Sequence, residues 1–237
     1  MGKKVLIFLC FFATGYMGCK NTDPYTPQPP APADSFFPET YGSTWKYRDS
    51  IFGEATDVAP IYGVSIDTIS FTINGNTSDI NSLRCYDATE ISRVNGPGTA
   101  FYYVNGHVFA LLESTAPYGL VALQVITENQ PKGYTWISSP LCTPYGISLF
   151  LNNQVQTINT IQETNITKVV GGKTYTNVTH TSINLQVNTN GFGFKNVANY
   201  DLYLAKGVGM IEKDAYIYGD LNSVETIIDY SVGPGPK

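Results

Sequence analysis

Residues 155–168 read VQTINTIQETNITK, residues 171 and 172 are Gly171-Gly172, and residues 173–187 read KTYTNVTHTSINLQV. Isoleucine, valine, threonine and tyrosine dominate both arms, and these types fit the pleated, half-buried surface of a strand. The glycine pair supplies the positive φ that a tight hairpin turn requires. The stretch therefore reads as two long paired antiparallel strands.

The same grammar extends in both directions. Residues 100–104 and 107–112 flank Asn105-Gly106, the clearest short hairpin signal in the chain. Alternation over residues 43–51 puts Trp45 and Tyr47 on one strand face and Lys46 and Arg48 on the other. Residues 64–73 continue as strand with a change of face after Thr68, which reads as a bulge or an exit from the sheet. Asn74-Gly75, Asn152-Asn153 and Asn190-Gly191 read as turns. Further strands are expected at 120–127, 147–151, 200–205, 208–213 and 224–230. Residues 145–159 are the one weak helical competitor, and no fixed-period repeat occurs. The expectation is an all-β fold: a single domain of antiparallel strands in a strongly curved sheet or incomplete β-barrel, with few or no helices. Curvature or closure manages the edges that such long strands expose.

The N-terminus carries an address. Lys3 and Lys4 precede an apolar run over residues 5–13, the layout of a secretory signal and too short to span a bilayer. Tyr16-Met17-Gly18-Cys19 resembles the lipobox of bacterial lipoproteins, with Tyr16 where leucine is usual. That resemblance implies cleavage before Cys19 and a diacylglyceryl lipid on it, enough for stable anchoring. Lys20-Asn21-Thr22-Asp23 resembles the Lys-plus-acidic signal that sends Bacteroidetes-type lipoproteins to the outer face of the outer membrane. A periplasm-facing location stays open beside it. Five prolines between residues 20 and 35 favour an extended, semi-rigid spacer. The expected organisation is a lipoprotein signal peptide over 1–18, a proline-rich tether over 19–35 and a β-domain over 36–237.

Composition narrows the function classes. Loss of the leader removes two of the 14 basic residues and leaves all 19 acids. No Lys/Arg cluster remains to neutralise phosphates, which argues against nucleic acid. Cys85 and Cys142 are a possible disulfide in an oxidising compartment, or two small residues that never meet.

Catalytic signatures are missing. His107 and His180 adjoin no Gly-x-Ser-x-Gly elbow, and no metal-ligand spacing occurs, so neither a catalytic residue nor a cofactor or metal is expected. Alternation and solvated strand ends account for Asp201, Glu212 and Asp214. Gly207 and Gly209 flank Val208 with a spacing that suits a bulge or tight turn, and no helix follows to make a phosphate site.

Phe37-Pro38-x-x-x-Gly42-Ser43-x-Trp45-x-Tyr47, Gly172-Lys173-Thr174-Tyr175-x-Asn177-Val178 and Tyr203-Leu204-Ala205-Lys206-Gly207-Val208-Gly209-Met210-Ile211 resemble segments of a loose group of uncharacterised Bacteroidetes-type lipoproteins. The resemblance implies a curved antiparallel sheet, distantly similar to the open barrel of lipoprotein carriers. It says more of architecture than of activity. Trp45 and Tyr47 are read as core residues, with an aromatic ligand platform as the alternative. Two roles lead: a non-catalytic carrier or binder of an apolar ligand such as a lipid, and a surface interaction protein binding glycan or another envelope protein.

Overall fold

The computed structural model describes residues 35–38, 40–52, 55–56, 59–60, 64–80, 83–105, 108–115, 119–138, 154–188 and 191–233. Fourteen strands occur among them: β1 (Thr44–Phe52), β2 (Ala55–Thr56), β3 (Ala59–Pro60), β4 (Val64–Ile80), β5 (Leu83–Ser92), β6 (Gly96–Asn105), β7 (Val108–Thr115), β8 (Gly119–Thr127), β9 (Thr135–Ser138), β10 (Gln154–Val170), β11 (Lys173–Asn188), β12 (Phe194–Ala205), β13 (Gly209–Ile217) and β14 (Asp220–Ser231). No helix occurs among the described residues.

Twelve strands form one antiparallel sheet in the order β8-β7-β6-β5-β4-β1-β14-β13-β12-β11-β10-β9, and β2 and β3 form a separate ribbon. Every neighbour in the large sheet is a sequential hairpin partner except where β1 pairs with both β4 and β14. The sheet curves until β8 comes against β10 and β11, yet no ladder joins β8 to the strands across the gap. It is an incomplete barrel. The chain crosses the gap after β8 and starts pairing early: Gly133 N–H donates to Ile161 O at 2.7 Å, and Ile161 N–H to Tyr134 O at 2.9 Å.

The period-2 pattern decides which side chains fill the interior. Along β11, Thr181, Ile183, Leu185 and Val187 are buried, while His180, Ser182, Asn184 and Gln186 face outward. On β12, Tyr200, Leu202 and Leu204 point inward. Leu123, Val125 and Ile126 of β8 complete the core from across the gap.

The hairpin over residues 154–188 forms as its residues dictate. Val170 pairs with Lys173, and Gly171 and Gly172 carry φ of 57° and 79°. Three local readings need correction. The hairpin at Asn105-Gly106 closes one residue later, because Asn105 itself pairs with Val108. The Asn74-Gly75 turn does not form: β4 runs straight through it, and the β4–β5 register shifts between Ile73 and Thr77 around Gly75 at φ 83°. The ladder with β5 resumes at Thr77 and runs on to Ile80, so the glycine makes a bulge instead of a reversal. The ladder with β1 is regular through Thr68 and Ile69, so the expected irregularity there is absent. Asn152-Asn153 and the strand at 147–151 lie outside the described residues.

The hairpin connections fall at two ends. One end holds Ser35, the turns at 171–172 and 206–208, and Gly233; it is called the tether end. The far end holds the turns at 93–95, 191–193 and 218–219.

Candidate functional site

The two motifs that frame the sequence meet at the tether end. Trp45 and Tyr47 project from β1 into the interior and reach across β14 to the start of β13. Trp45 Nε1 donates to Val208 O at 2.6 Å, and Tyr47 OH donates to Met210 O at 2.9 Å. Gly207 N–H donates to Ser35 O at 2.6 Å, and Phe36 N–H to Glu128 Oε1 at 2.9 Å. Phe37 and Trp45 pack near Tyr102, Tyr47 packs edge-on to Phe71, and Phe71 edge-on to Tyr102. Burial first, then Tyr102, Glu225 and Tyr175, pushes the Tyr47 phenol well above its usual range. Trp45 and Tyr47 are thus core residues with satisfied polar tips. Gly209 sits at φ 107°, where glycine is favoured, and a hypothetical Cβ would come within a tight 3.2 Å of Trp45 Nε1.

A row of ionisable side chains crosses the interior nearer the far end. Asp67 on β4, Asp49 on β1, Glu225 on β14 and Lys213 on β13 stand directly opposite one another in sequence across four strands. Lys213 Nζ lies 2.5 Å from Glu225 Oε1, both largely buried. Asp67, 2% exposed, accepts from Ser92 Oγ at 2.5 Å, Thr68 N–H at 2.6 Å and Val94 N–H at 3.2 Å. Burial raises its pKa, but these donors and Arg93 N–H outweigh burial and bring it below the ordinary carboxylate range.

The inner face of β9–β11 carries the candidate binding site. Trp136 stands opposite Asn159, and Ser138 opposite Thr157. Tyr134, at the surface, stacks on Trp136 with ring centroids 5.7 Å apart. Asn159 Nδ2 donates to Thr157 Oγ1 at 3.0 Å and Ser138 Oγ at 3.3 Å, while the Thr157 and Ser138 hydroxyls lie 2.5 Å apart. Three buried polar atoms here have no hydrogen-bond partner: Trp136 Nε1, Asn159 Oδ1 and Thr181 Oγ1. Thr181 is opposite Ile161, one inward step along from Asn159. Asn159 and Thr181 are fully buried. Sequence reading passed over all of these residues. The one available signal was Asn159 standing between Thr157 and Ile161 at the inward phase.

A second cluster decorates the outer face of β10–β13. His180 Nε2 lies 2.9 Å from Asp201 Oδ1, its Nδ1 3.8 Å from Glu163 Oε2, and its ring stacks on Tyr203 at 4.4 Å. Lys168 Nζ sits 3.4 Å over the other side of the Tyr203 ring and 2.8 Å from Glu212 Oε1. Asp201 and Asp214 are directly opposed in mid-strand, so Asp201, Glu212 and Asp214 are not strand-end acids. Burial and then Glu212 raise the Asp214 carboxyl. Both His180 nitrogens face carboxylates, not a hydroxyl or thiol.

Cys85 is buried on β5, where burial, then Asp87 and Asp79, pushes its thiol up to about 11. Cys142, Cys19, His107 and the whole leader lie outside the described residues, so the pairing of Cys85 with Cys142 stays an expectation. Among the described residues, no three His, Cys, Asp or Glu side chains are placed to hold a metal ion.

Compared by sequence, the chain matches no family model and no curated protein. Compared by structure, it is similar to a Bacteroides fragilis NCTC 9343 protein described as exported and with a YmcC-like fold, at TM-score 0.48 and 9% identity over 84% of this chain and 99% of that one. It is also similar to a Parabacteroides distasonis ATCC 8503 protein described as a lipoprotein, at TM-score 0.45 and 12% identity, with 84% and 99% covered. A β-barrel-like protein of a domain of unknown function from Brucella abortus gives TM-score 0.36 and 9% identity, with 82% and 99% covered.

Proposed function

We propose that this chain is a non-catalytic binding module of the cell envelope, anchored to the outer membrane by a lipid on Cys19, and that it takes a neutral, hydroxyl-bearing ligand such as a glycan at the inner face of β9–β11. One observation carries this reading: Trp136 Nε1, Asn159 Oδ1 and Thr181 Oγ1 are buried close together without partners. Each such group left unmade costs about 1–3 kcal/mol. Together they offer a donor, an acceptor and a hydroxyl, the set that a sugar ring answers. The Tyr134–Trp136 stack supplies an aromatic ledge beside them. No ionisable side chain belongs to the cluster, which favours an uncharged ligand.

The runner-up is an apolar ligand such as an acyl chain. Leu123, Val125, Ile126 and Leu185 favour it. The interior row of Asp49, Asp67, Lys213 and Glu225 disfavours it, because an acyl chain gives buried charges no hydrogen bonds. The binding reading over catalysis is supported by His180, whose two nitrogens are occupied by acids.

Native mass spectrometry of the processed chain with neutral oligosaccharides tests the proposal. The expected result is a bound mass that Asn159→Leu removes while the melting temperature is kept. A protein that ignores every oligosaccharide but carries an extractable lipid would sink the glycan reading and promote the apolar one.

A further inference from the structure

Single exposed apolar side chains are ordinary on a protein surface. Their placement here is not scattered. Val94, Phe192 and Tyr218 are 61%, 85% and 73% exposed, and each sits in a different turn of the far end. Phe194, Leu221, Val64 and Ile66 are exposed on the strand ends beside those turns. The turns belong to the β5–β6, β11–β12 and β13–β14 connections. In the sheet β4 and β1 separate the first of these from the other two. The three turns therefore stand at separated points along the rim, with Val64 and Ile66 on β4 between the first and the other two.

We propose that this rim docks on a phospholipid surface, with Val94, Phe192 and Tyr218 entering the headgroup boundary. Separate protruding tips suit a fluid bilayer, which conforms to each; a folded protein partner would need a continuous complementary face. Arg93 adjoins Val94, and Lys195 adjoins Phe194, both exposed. In a chain with more acids than bases, these two cations stand where anionic headgroups would lie; Asp220, beside Tyr218, is the opposing acid there. Aromatic rings and cations are the residues that settle at a membrane interface.

Chain length allows the contact. Phe36 and Ser35 are fastened at the opposite end, so the rim points away from the tether's attachment. The residues between Cys19 and Ser35 extend to roughly 50 Å at about 3 Å each. A strand the length of β12, 12 residues, spans roughly 40 Å. The tether can run the full height of the barrel, so the rim can reach the bilayer that holds the anchor as well as a facing one. This inference is independent of the glycan site.

Brominated-lipid quenching tests it on the processed chain reconstituted in vesicles of phosphatidylethanolamine with a minority of phosphatidylglycerol. Phe192→Trp places a reporter on the rim, Val169→Trp places one on an exposed position at the tether end, and the unaltered chain gives the background from Trp45 and Trp136. Phe192→Trp is expected to shift to the blue and to be quenched at least threefold more than Val169→Trp. Tyr218→Ser added to Phe192→Trp is expected to halve that quenching or more, at an unchanged melting temperature. Brominated lipid confined to a second vesicle population separates a facing bilayer from the anchoring one, and quenching in either supports the proposal. Equal quenching of both reporters, or quenching of neither, overturns it.

Discussion

The indole N–H of Trp45 donates to the carbonyl of Val208 across 163 residues of sequence, at 2.6 Å. Gly209 follows immediately, with φ 107°, and a side chain there would press tightly on the same indole. Gly209→Ala is therefore expected to cost about 1–3 kcal/mol, from the left-handed backbone and the contact together. In a Trp45→Phe background the contact part disappears and the backbone part stays. Urea unfolding of the four variants of that cycle should give non-additive costs; strictly additive ones would mean the indole does not constrain Gly209.

Lys213 and Glu225 form a buried pair at 2.5 Å, with Asp49 opposite Glu225. Lys213→Met leaves buried carboxylates uncompensated and is expected to cost about 3–5 kcal/mol. Adding Glu225→Leu should recover part of the loss. Denaturant midpoints of the single and double variants decide the matter, and a double variant no better than the single would count against the pairing.

Asp67 has a depressed pKa, held down by Ser92 and three backbone N–H groups. A depressed carboxylate stabilises the fold above its unfolded pKa of about 3.9, and the contribution is lost as pH falls through the lower folded value. Ser92→Ala should therefore cost about 1.5–3 kcal/mol at neutral pH. The gap from wild type should narrow below about pH 4. A gap constant with pH would show that Ser92 acts through packing and the bonds it accepts from Val94 and Asn95 N–H, not through Asp67.

Asp214 behaves in the opposite sense. Burial and Glu212 raise its pKa, so its ionised form opposes folding at neutral pH and the penalty lifts as pH drops through the folded value. Asp214→Asn should raise the melting temperature at pH 7, and its advantage should fade in acid. Differential scanning calorimetry at several pH values reads this directly.

Cys85 is buried with its thiol near 11, so iodoacetamide at pH 8 should leave it unlabelled in the folded protein. Labelling the processed chain, which has lost Cys10 and carries lipid on Cys19, after unfolding without reductant then counts thiols: two reject a bond between Cys85 and Cys142, and none supports it. Rapid labelling of Cys85 in the folded state would contradict its burial.

Much of the fold was legible in the residues. The paired arms around Gly171-Gly172, the inward phase of Trp45 and Tyr47, and the tight turn at Gly207 and Gly209 are all local signals, set by φ preference and by alternation. Register was less legible: Asn74-Gly75 carries the chemistry of a turn, but pairing of β4 with β5 on both sides of it overrides two residues of preference. The polar interior was hidden for a different reason. Asp49 shares the phase of Trp45 and Tyr47, yet an aspartate near a strand end reads as solvated until β4 and β14 are known to flank it. Asn159 and Thr181 are ordinary polar strand residues in sequence, and only curvature of the sheet seals them from water. His180 gave no sign of Glu163 or Asp201: Glu163 comes opposite it through bulges in β10, and Asp201 lies diagonal to it across the β11–β12 ladder.

The seam between β1 and β14 has a consequence for how the fold is assembled. β1 is among the first segments of the domain to leave its source and β14 the last, yet they pair in the middle of the sheet, with Thr40 and Ser43 hydrogen-bonded to Gly233 beside them. The last strand is a keystone. A chain delivered N-terminus first holds β1 with one flank bare until β14 follows, and the two halves of the sheet cannot lock around a common core before then. Most pairings are local hairpins and can form early, but closure waits on this single long-range pairing, whose cost in chain entropy is high. The domain stays unlocked until β14 has joined β1.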